Sequence, residues 1–250
     1  MLSLGYKFDS KGYIIIMNKI INWVKHWYRY KTDEPYIIAL SFIGAFCLYG
    51  SIYFDHKNKS MIYVLILILL GIWTLLRTVT FKKNYINQFV DNHDFTASSK
   101  GLDLGTGTGY ALIKMAKDNH LAEVDGVEDV YQYSIQRLEK NSTLEDVKEK
   151  VQLKAHDITS IPYDDNSFDV ATAIHGRDDQ LSNRKKSVYQ PISKELNRVV
   201  KSGGVIFMLN TPGMIKRFKK EFEAKGASVK YMHRRFELFF NVRAIVITVK

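Results

Sequence analysis

The sequence predicts an α/β fold, a parallel doubly wound sheet with helices on both faces, preceded by two apolar α-helices. Three observations carry that prediction. From Lys100 onward, strand-like apolar runs alternate with amphipathic helix-like runs. A glycine-rich turn, Gly101-Leu-Asp-Leu-Gly-Thr-Gly-Thr-Gly109, joins the first strand to the first helix. Two long uncharged stretches, Pro35 to Phe54 and Ser60 to Leu76, stand ahead of both.

The chain has 250 residues, 46% of them hydrophobic, enough for one large domain with an appendage. Its formal charge of +10 calls for an anionic partner, nucleic acid or a lipid surface. Cys47 is the single cysteine, so the chain can build no internal disulfide and no cysteine-based metal site, and no metal is expected.

Residues 1–34 form a basic N-terminal segment. Met1 to Lys11 lacks the features of a signal peptide. Tyr13 to Tyr30 places Ile16, Ile20, Ile21, Val24, Trp27 and Tyr28 on one helical face, with Lys19, Asn22, Lys25, His26 and Arg29 largely on the other. Such a helix suits either a membrane interface or the cover of a soluble core.

Residues 35–80 read as a transmembrane hairpin. The two uncharged runs are 20 and 17 residues long, joined by the polar turn Asp55-His-Lys-Asn-Lys59. At about 1.5 Å per residue they reach roughly 30 and 26 Å, against a hydrocarbon core of about 30 Å. Lys19, Lys25, Arg29 and Lys31 precede the pair, Arg77, Lys82 and Lys83 follow it, and only Lys57 and Lys59 lie between. That distribution places both termini and the following domain in the cytoplasm. Residues 81–99 are a connector with a short apolar helical face (Tyr85, Ile86, Phe89, Val90) and a polar turn in which His93 and Asp94 are expected to be solvated.

In the C-terminal 100–250 domain, the first strand ends in the glycine turn, where glycines allow positive φ and a close approach of backbone to ligand. Further strands are expected over Ala122 to Val127, Val151 to Ala155, Phe168 to Ile174 and Val205 to Asn210, with helices over Val130 to Lys140 and Pro212 to Lys225. Two last strands, Ser228 to His233 and Val242 to Val249, have no helix between them and read as an antiparallel hairpin. The glycines do not fit the G-x-G-x-x-G register of a dinucleotide fold.

Leu102 to Gly109 resembles, without departure, the acidic-x-G-x-G-x-G loop of class I S-adenosylmethionine (SAM) dependent methyltransferases. The nearest general resemblance is to the type 11 small-molecule and lipid methyltransferases, over roughly Lys100 to Lys250. It implies a Rossmann-like seven-stranded sheet with an antiparallel last strand, SAM as cofactor, and a site that includes Asp103, Gly105, Thr106, Gly107 and Gly109. Glu128, 23 residues beyond Gly105 at the end of the second strand, is placed to accept hydrogen bonds from both ribose hydroxyls. The segment His156 to Asp169 resembles the family's third-strand loop, which assigns Asp157 to the adenine amino group and Ile158 to its face. Leu196 to Ile206 resembles the turn into the fifth strand, with Ser202 where proline is usual.

After the fourth strand, Ala173-Ile-His-Gly-Arg-Asp-Asp179 should face the methyl group. His175 could act as a base or as a packing or substrate-shaping residue. Arg177 could bind an anionic head group or pair with Asp178 or Asp179. An Asn/Asp-Pro-Pro-aromatic sequence, typical of enzymes that methylate planar amino groups, is missing. Basic residues at Lys216, Arg217, Lys219, Lys220, Arg234 and Arg235 favour an anionic membrane surface over nucleic acid. The expectation is therefore an integral membrane, cytosol-facing methyltransferase with the lipid bilayer as partner. Its acceptor would be a hydrophobic small molecule or lipid. The alternatives are a methyltransferase acting on protein or RNA near the membrane, and an inactive SAM-binding scaffold.

Overall fold

The structure, a computed structural model, describes residues 17–18, 21, 35–55, 61–95, 98–118, 121–128, 132–174, 189–233 and 242–250. The amphipathic run over Tyr13 to Tyr30 falls almost wholly outside these residues, as does the turn between the two apolar runs.

The apolar runs form helices α1 (Pro35–Asp55) and α2 (Met61–Leu75), packed against each other. Gly71 sits at their contact, where an added Cβ would lie 3.0 Å from the Phe42 ring, and Gly44 faces Leu67. Gly50 takes no part. Two polar side chains satisfy themselves within the helices: Ser41 donates to the Ile37 carbonyl at 2.7 Å and Thr74 to the Leu70 carbonyl at 2.9 Å. The expectation of a transmembrane hairpin finds no support here. Among the described residues no helix is long and apolar enough to cross a membrane. The apolar part of the second arm, the 15 residues of α2, covers only about 22 Å against a hydrocarbon core of about 30 Å. What the structure contains is a helical hairpin whose apolar side chains, including Leu40, Phe46, Ile62 and Leu69, stand exposed.

The chain continues without a break from α2 through a π-helical stretch (Leu76–Phe81) into α3 (Lys82–Asp91). The connector is thus more than a linker. Tyr85, Ile86, Phe89 and Val90 are buried in the core of the domain, with the Phe89 ring stacked on Phe207 at 4.8 Å. His93 is half-buried rather than fully solvated, its ring 5.4 Å from Phe89 and 4.9 Å from Phe95, and burial lowers its pKa against the pull of Asp94, which is itself exposed as expected.

The domain proper runs β1 (Ser99–Leu104), α4 (Tyr110–Ala116), β2 (Leu121–Glu128), α5 (Gln132–Leu144), β3 (Val151–Ala155), β4 (Phe168–Ile174), α6 (Tyr189–Val199), β5 (Val200–Asn210), α7 (Pro212–Ala224), β6 (Ser228–Met232) and β7 (Arg243–Thr248). The seven strands form one sheet in the order β3-β2-β1-β4-β5-β7-β6. The first five are parallel, and β7 inserts antiparallel between β5 and β6. β5 begins five residues earlier than its apolar run, because Lys201 to Gly204 pass through a register shift against β4 in which Gly203 takes φ +78°.

Strand alternation divides the core in two. On one face Val124, Val170 and Phe207 meet α3, α4 and α5; on the other Leu102, Leu104 and Ile206 meet α6 and α7. Ile215, Phe218 and Phe222 of α7 recur at helical spacing and are fully buried, each contributing about 1.5–3 kcal/mol. The strand order reverses between β1 and β4, and a crevice at the carboxyl ends is the expected ligand position in such a sheet.

Candidate cofactor and active site

β1 delivers the glycine turn to the reversal point. Gly105, Gly107 and Gly109 all have positive φ (75°, 53° and 85°), the conformation only glycine adopts without strain. Their tasks differ. The Gly105 amide donates to the Val127 carbonyl at 2.8 Å, tying the turn to β2. Gly109 makes room for α5, since an added Cβ would lie 2.1 Å from a Leu138 methyl. At Gly107 an added Cβ would meet nothing within 4 Å, so the turn is open on that side. Glu128, at the end of β2, reaches across the opening and accepts from the Gly107 amide at 2.5 Å.

Other predicted residues stand behind this surface. Asp103 is buried in β1, accepting from the Thr172 hydroxyl of β4 at 2.5 Å. Burial pushes its carboxyl up to about 7; the Thr172 hydroxyl opposes the rise, the nearby charge of Glu128 adds to it, and the Leu112 amide opposes it again. Thr106, also buried, donates to the Asp103 carbonyl at 2.9 Å and closes the turn. Asp157 is exposed at the head of the β3–β4 loop, where its Oδ1 accepts from the amide (2.8 Å) and hydroxyl (2.7 Å) of Thr159. Ile158 turns inward and is buried. The His156 amide donates to the Glu128 carbonyl at 3.0 Å, joining this loop to the glutamate. His175 and the residues to Asp179 lie outside the described residues; β4 ends immediately before them, at Ile174.

The structure thus brings Gly105, Gly107, Glu128 and Asp157 to one edge of the sheet, with Asp103, Thr106, Gly109 and Ile158 as their support. These residues fit SAM: the opening at Gly107 leaves space for a ligand against the backbone, and a carboxylate stands beside it where a ribose diol would bind.

Sequence reasoning missed several supporting residues. Thr172 is a polar residue inside the apolar run of β4, which was its one visible signal. Gly126 admits the turn: a Cβ there would lie 2.6 Å from the Thr106 hydroxyl. Asn141 of α5 donates to the Thr108 carbonyl at 2.9 Å. Tyr110, the first residue of α4, is held from α3 by a hydrogen bond to Asn87 (2.8 Å), with the Lys83 ammonium over its ring at 4.9 Å. Asp125 is buried in β2, where burial raises its carboxyl and the Tyr163 hydroxyl, approaching without reaching hydrogen-bond geometry, opposes the rise.

Residues 95–240 match the family described as a methyltransferase domain. Among characterised proteins, the demethylmenaquinone methyltransferase of Staphylococcus saprophyticus is 32% identical over 130 residues, which is 52% of this chain and 52% of that protein. The chain spans about half the length of the curated relatives it matches. The SAM-dependent O-methyltransferase of Thermotoga maritima superposes with a TM-score of 0.51 at 15% identity, covering 68% of this chain and 66% of that one. The geranyl diphosphate C-methyltransferase of Streptomyces coelicolor, solved with geranyl diphosphate and S-adenosyl-L-homocysteine, gives 0.50 at 10% identity, covering 70% and 82%. At such identities the structural likeness is one of fold.

Proposed function

This chain belongs to the methyltransferase-domain family, and on that premise we propose that it uses SAM to methylate a hydrophobic small-molecule or lipid acceptor at a membrane surface. The observation that carries the acceptor class is the hairpin. Phe46 and Leu40 are 78% and 67% exposed, and Ile62, Leu65 and Leu69 are exposed beside them. An apolar surface of this kind marks a lipid or protein partner. The net charge of +10 suits an anionic bilayer, and the unbroken helical path from α2 into α3 would hold the domain at its surface. The demethylmenaquinone methyltransferase relative, whose name gives a quinone as its substrate, supports an acceptor of the same apolar class. The domain would work on the cytoplasmic side, where SAM is supplied.

When bound, SAM supplies a methyl group already activated by its sulfonium. The protein's part is to orient and desolvate, which contributes about 7–11 kcal/mol in a well-aligned displacement. In this reading Glu128 holds the ribose hydroxyls, Gly107 lets the backbone come close, and Asp157 and Ile158 hold the adenine. Asp103 and Thr106 keep the turn in shape from behind. His175, following directly on β4, takes the proton from an acceptor that must lose one.

The test is transfer of labelled methyl from SAM by the full chain, offered total lipid extract, demethylmenaquinone, peptides and RNA. Label in the organic phase, lost with Gly107→Ala, is the expected result. Label in peptide or RNA alone would overturn the acceptor class, and a chain that binds the cofactor but labels nothing would be a scaffold. Flotation with anionic vesicles tests the hairpin. Replacing Leu40, Phe46, Ile62 and Leu69 by Ser should abolish it, and unchanged flotation would refute membrane contact through this face.

A further inference from the structure

The β3–β4 loop, residues 156–167, carries Asp157 and Ile158 and has no strand or helix of its own. A surface loop of this length keeps its position only through bonds to the scaffold. Most of those bonds come from two side chains one turn apart on α6. Arg198 donates through Nη1 to the Tyr163 carbonyl at 2.7 Å and to Asp165 Oδ1 at 2.9 Å. Through Nη2 it donates to the Ile161 carbonyl at 3.0 Å and to Glu195 Oε2 at 2.6 Å, and its Nε reaches Glu195 Oε1 at 3.1 Å. Glu195 Oε2 also accepts from the Ile161 amide at 2.9 Å. The Arg198 carbonyl completes the set by accepting from the Asn166 amide at 2.9 Å. Only a guanidinium offers enough donors in one plane to hold two loop carbonyls and two carboxylates together.

The clamp lies next to the proposed cofactor residues. Ile161, whose amide and carbonyl are both held, is four residues from Asp157, and Ile158 and Ile161 are buried in the cluster that contains Leu196 and Val199 of α6. Asp157 is turned by its bonds to Thr159, and its neighbour His156 is bonded to Glu128, whose carboxylate meets Gly107. A continuous set of contacts therefore runs from α6 through the loop to the glycine turn. We propose that Arg198 and Glu195 are positioning residues for the cofactor, fixing the β3–β4 loop so that Asp157 and Ile158 stand where the adenine binds.

This rests on the adenine role given above to Asp157 and Ile158, and the experiment separates the two. S-adenosylhomocysteine is titrated calorimetrically into the full chain and into Arg198→Ala, Arg198→Lys, Glu195→Gln, Asp157→Ala and the Asp157→Ala/Arg198→Ala double variant. Phe222→Leu, a change in the core of α7, serves as a control for loss of stability alone. Arg198→Ala should raise Kd by about tenfold or more, the scale of losing charge-assisted hydrogen bonds, with Arg198→Lys and Glu195→Gln between it and wild type. Transfer assays should show the loss in KM for SAM rather than in kcat. Because the effect passes through Asp157, Arg198→Ala should add little in the Asp157→Ala background. If Arg198→Ala and Arg198→Lys bind no worse than Phe222→Leu while Asp157→Ala binds poorly, the positioning role is overturned and the adenine reading stands. If Asp157→Ala binds like wild type, the adenine reading falls and this inference with it.

Discussion

Replacing Gly107 by alanine puts a methyl group on the open side of the glycine turn at φ +53°, where no protein atom lies within 4 Å. The folded protein has only backbone strain to bear, about 1–2 kcal/mol for a non-glycine residue in this region. For a domain of this size that lowers the melting temperature by roughly 2–8 °C. Gly203 provides a matched comparison. It has φ +78°, an added Cβ would again meet nothing within 4 Å, and it lies near the start of β5, at the opposite end of the strand from the crevice. Gly203→Ala should therefore destabilise by the same amount and leave the cofactor alone. Gly107→Ala fills the space a ligand would occupy and removes a ligand's contact with the backbone there. Loss of one such contact raises Kd by about tenfold, or about 1.4 kcal/mol, and exclusion of the ligand raises it further. The assay is a thermal melt of each variant followed by calorimetric titration with SAM and S-adenosylhomocysteine. Equal melting shifts with a selective loss of binding in Gly107→Ala is the expected pair of results. Binding by Gly107→Ala as tight as by Gly203→Ala would refute the assignment of this opening to the cofactor.

Asp103 gives a pH signature. Its folded carboxyl titrates at about 7 against 3.8 in the free residue, so the folded chain keeps a proton that the unfolded chain releases. Stability should fall as pH rises from about 4 to 7, by up to about 4 kcal/mol at 1.4 kcal/mol per unit, and then level off. Asp103→Asn removes the titrating group and should flatten this part of the profile; parallel urea-unfolding curves for the two proteins across that range would contradict the burial argument. Glu128→Gln keeps an acceptor for the Gly107 amide but loses the charge, and should weaken SAM binding about tenfold with little change in melting temperature; an unchanged Kd would remove the ribose role. Phe89→Ala, deleting the ring stacked on Phe207, should cost about 3–5 kcal/mol. A near-neutral change in chemical denaturation would mean that α3 is dispensable to the domain.

The sheet could be read from the sequence because its signals are local. β3 and β4 have the bounds their apolar runs predict, the glycine turn falls between β1 and α4, and the absence of a helical pattern between the last two strands foretold their antiparallel pairing. The family's loop motifs were legible for the same reason, since each is a short run of consecutive residues. Which of those residues faces a ligand was not. Asp103 meets Thr172 across 69 positions of sequence, and only strand order and register bring β1 and β4 side by side, turning that carboxyl inward while Glu128 reaches Gly107. The connector shows the same limit. The spacing of Tyr85, Ile86, Phe89 and Val90 announced an apolar face, but its partner Phe207 lies on β5, and no periodicity specifies which surface a face will bury. Sequence alone determined most of the sheet's strands and the motif residues at their ends. Packing between distant segments decided what is buried, which groups pay desolvation, and how the loop bearing Asp157 is held.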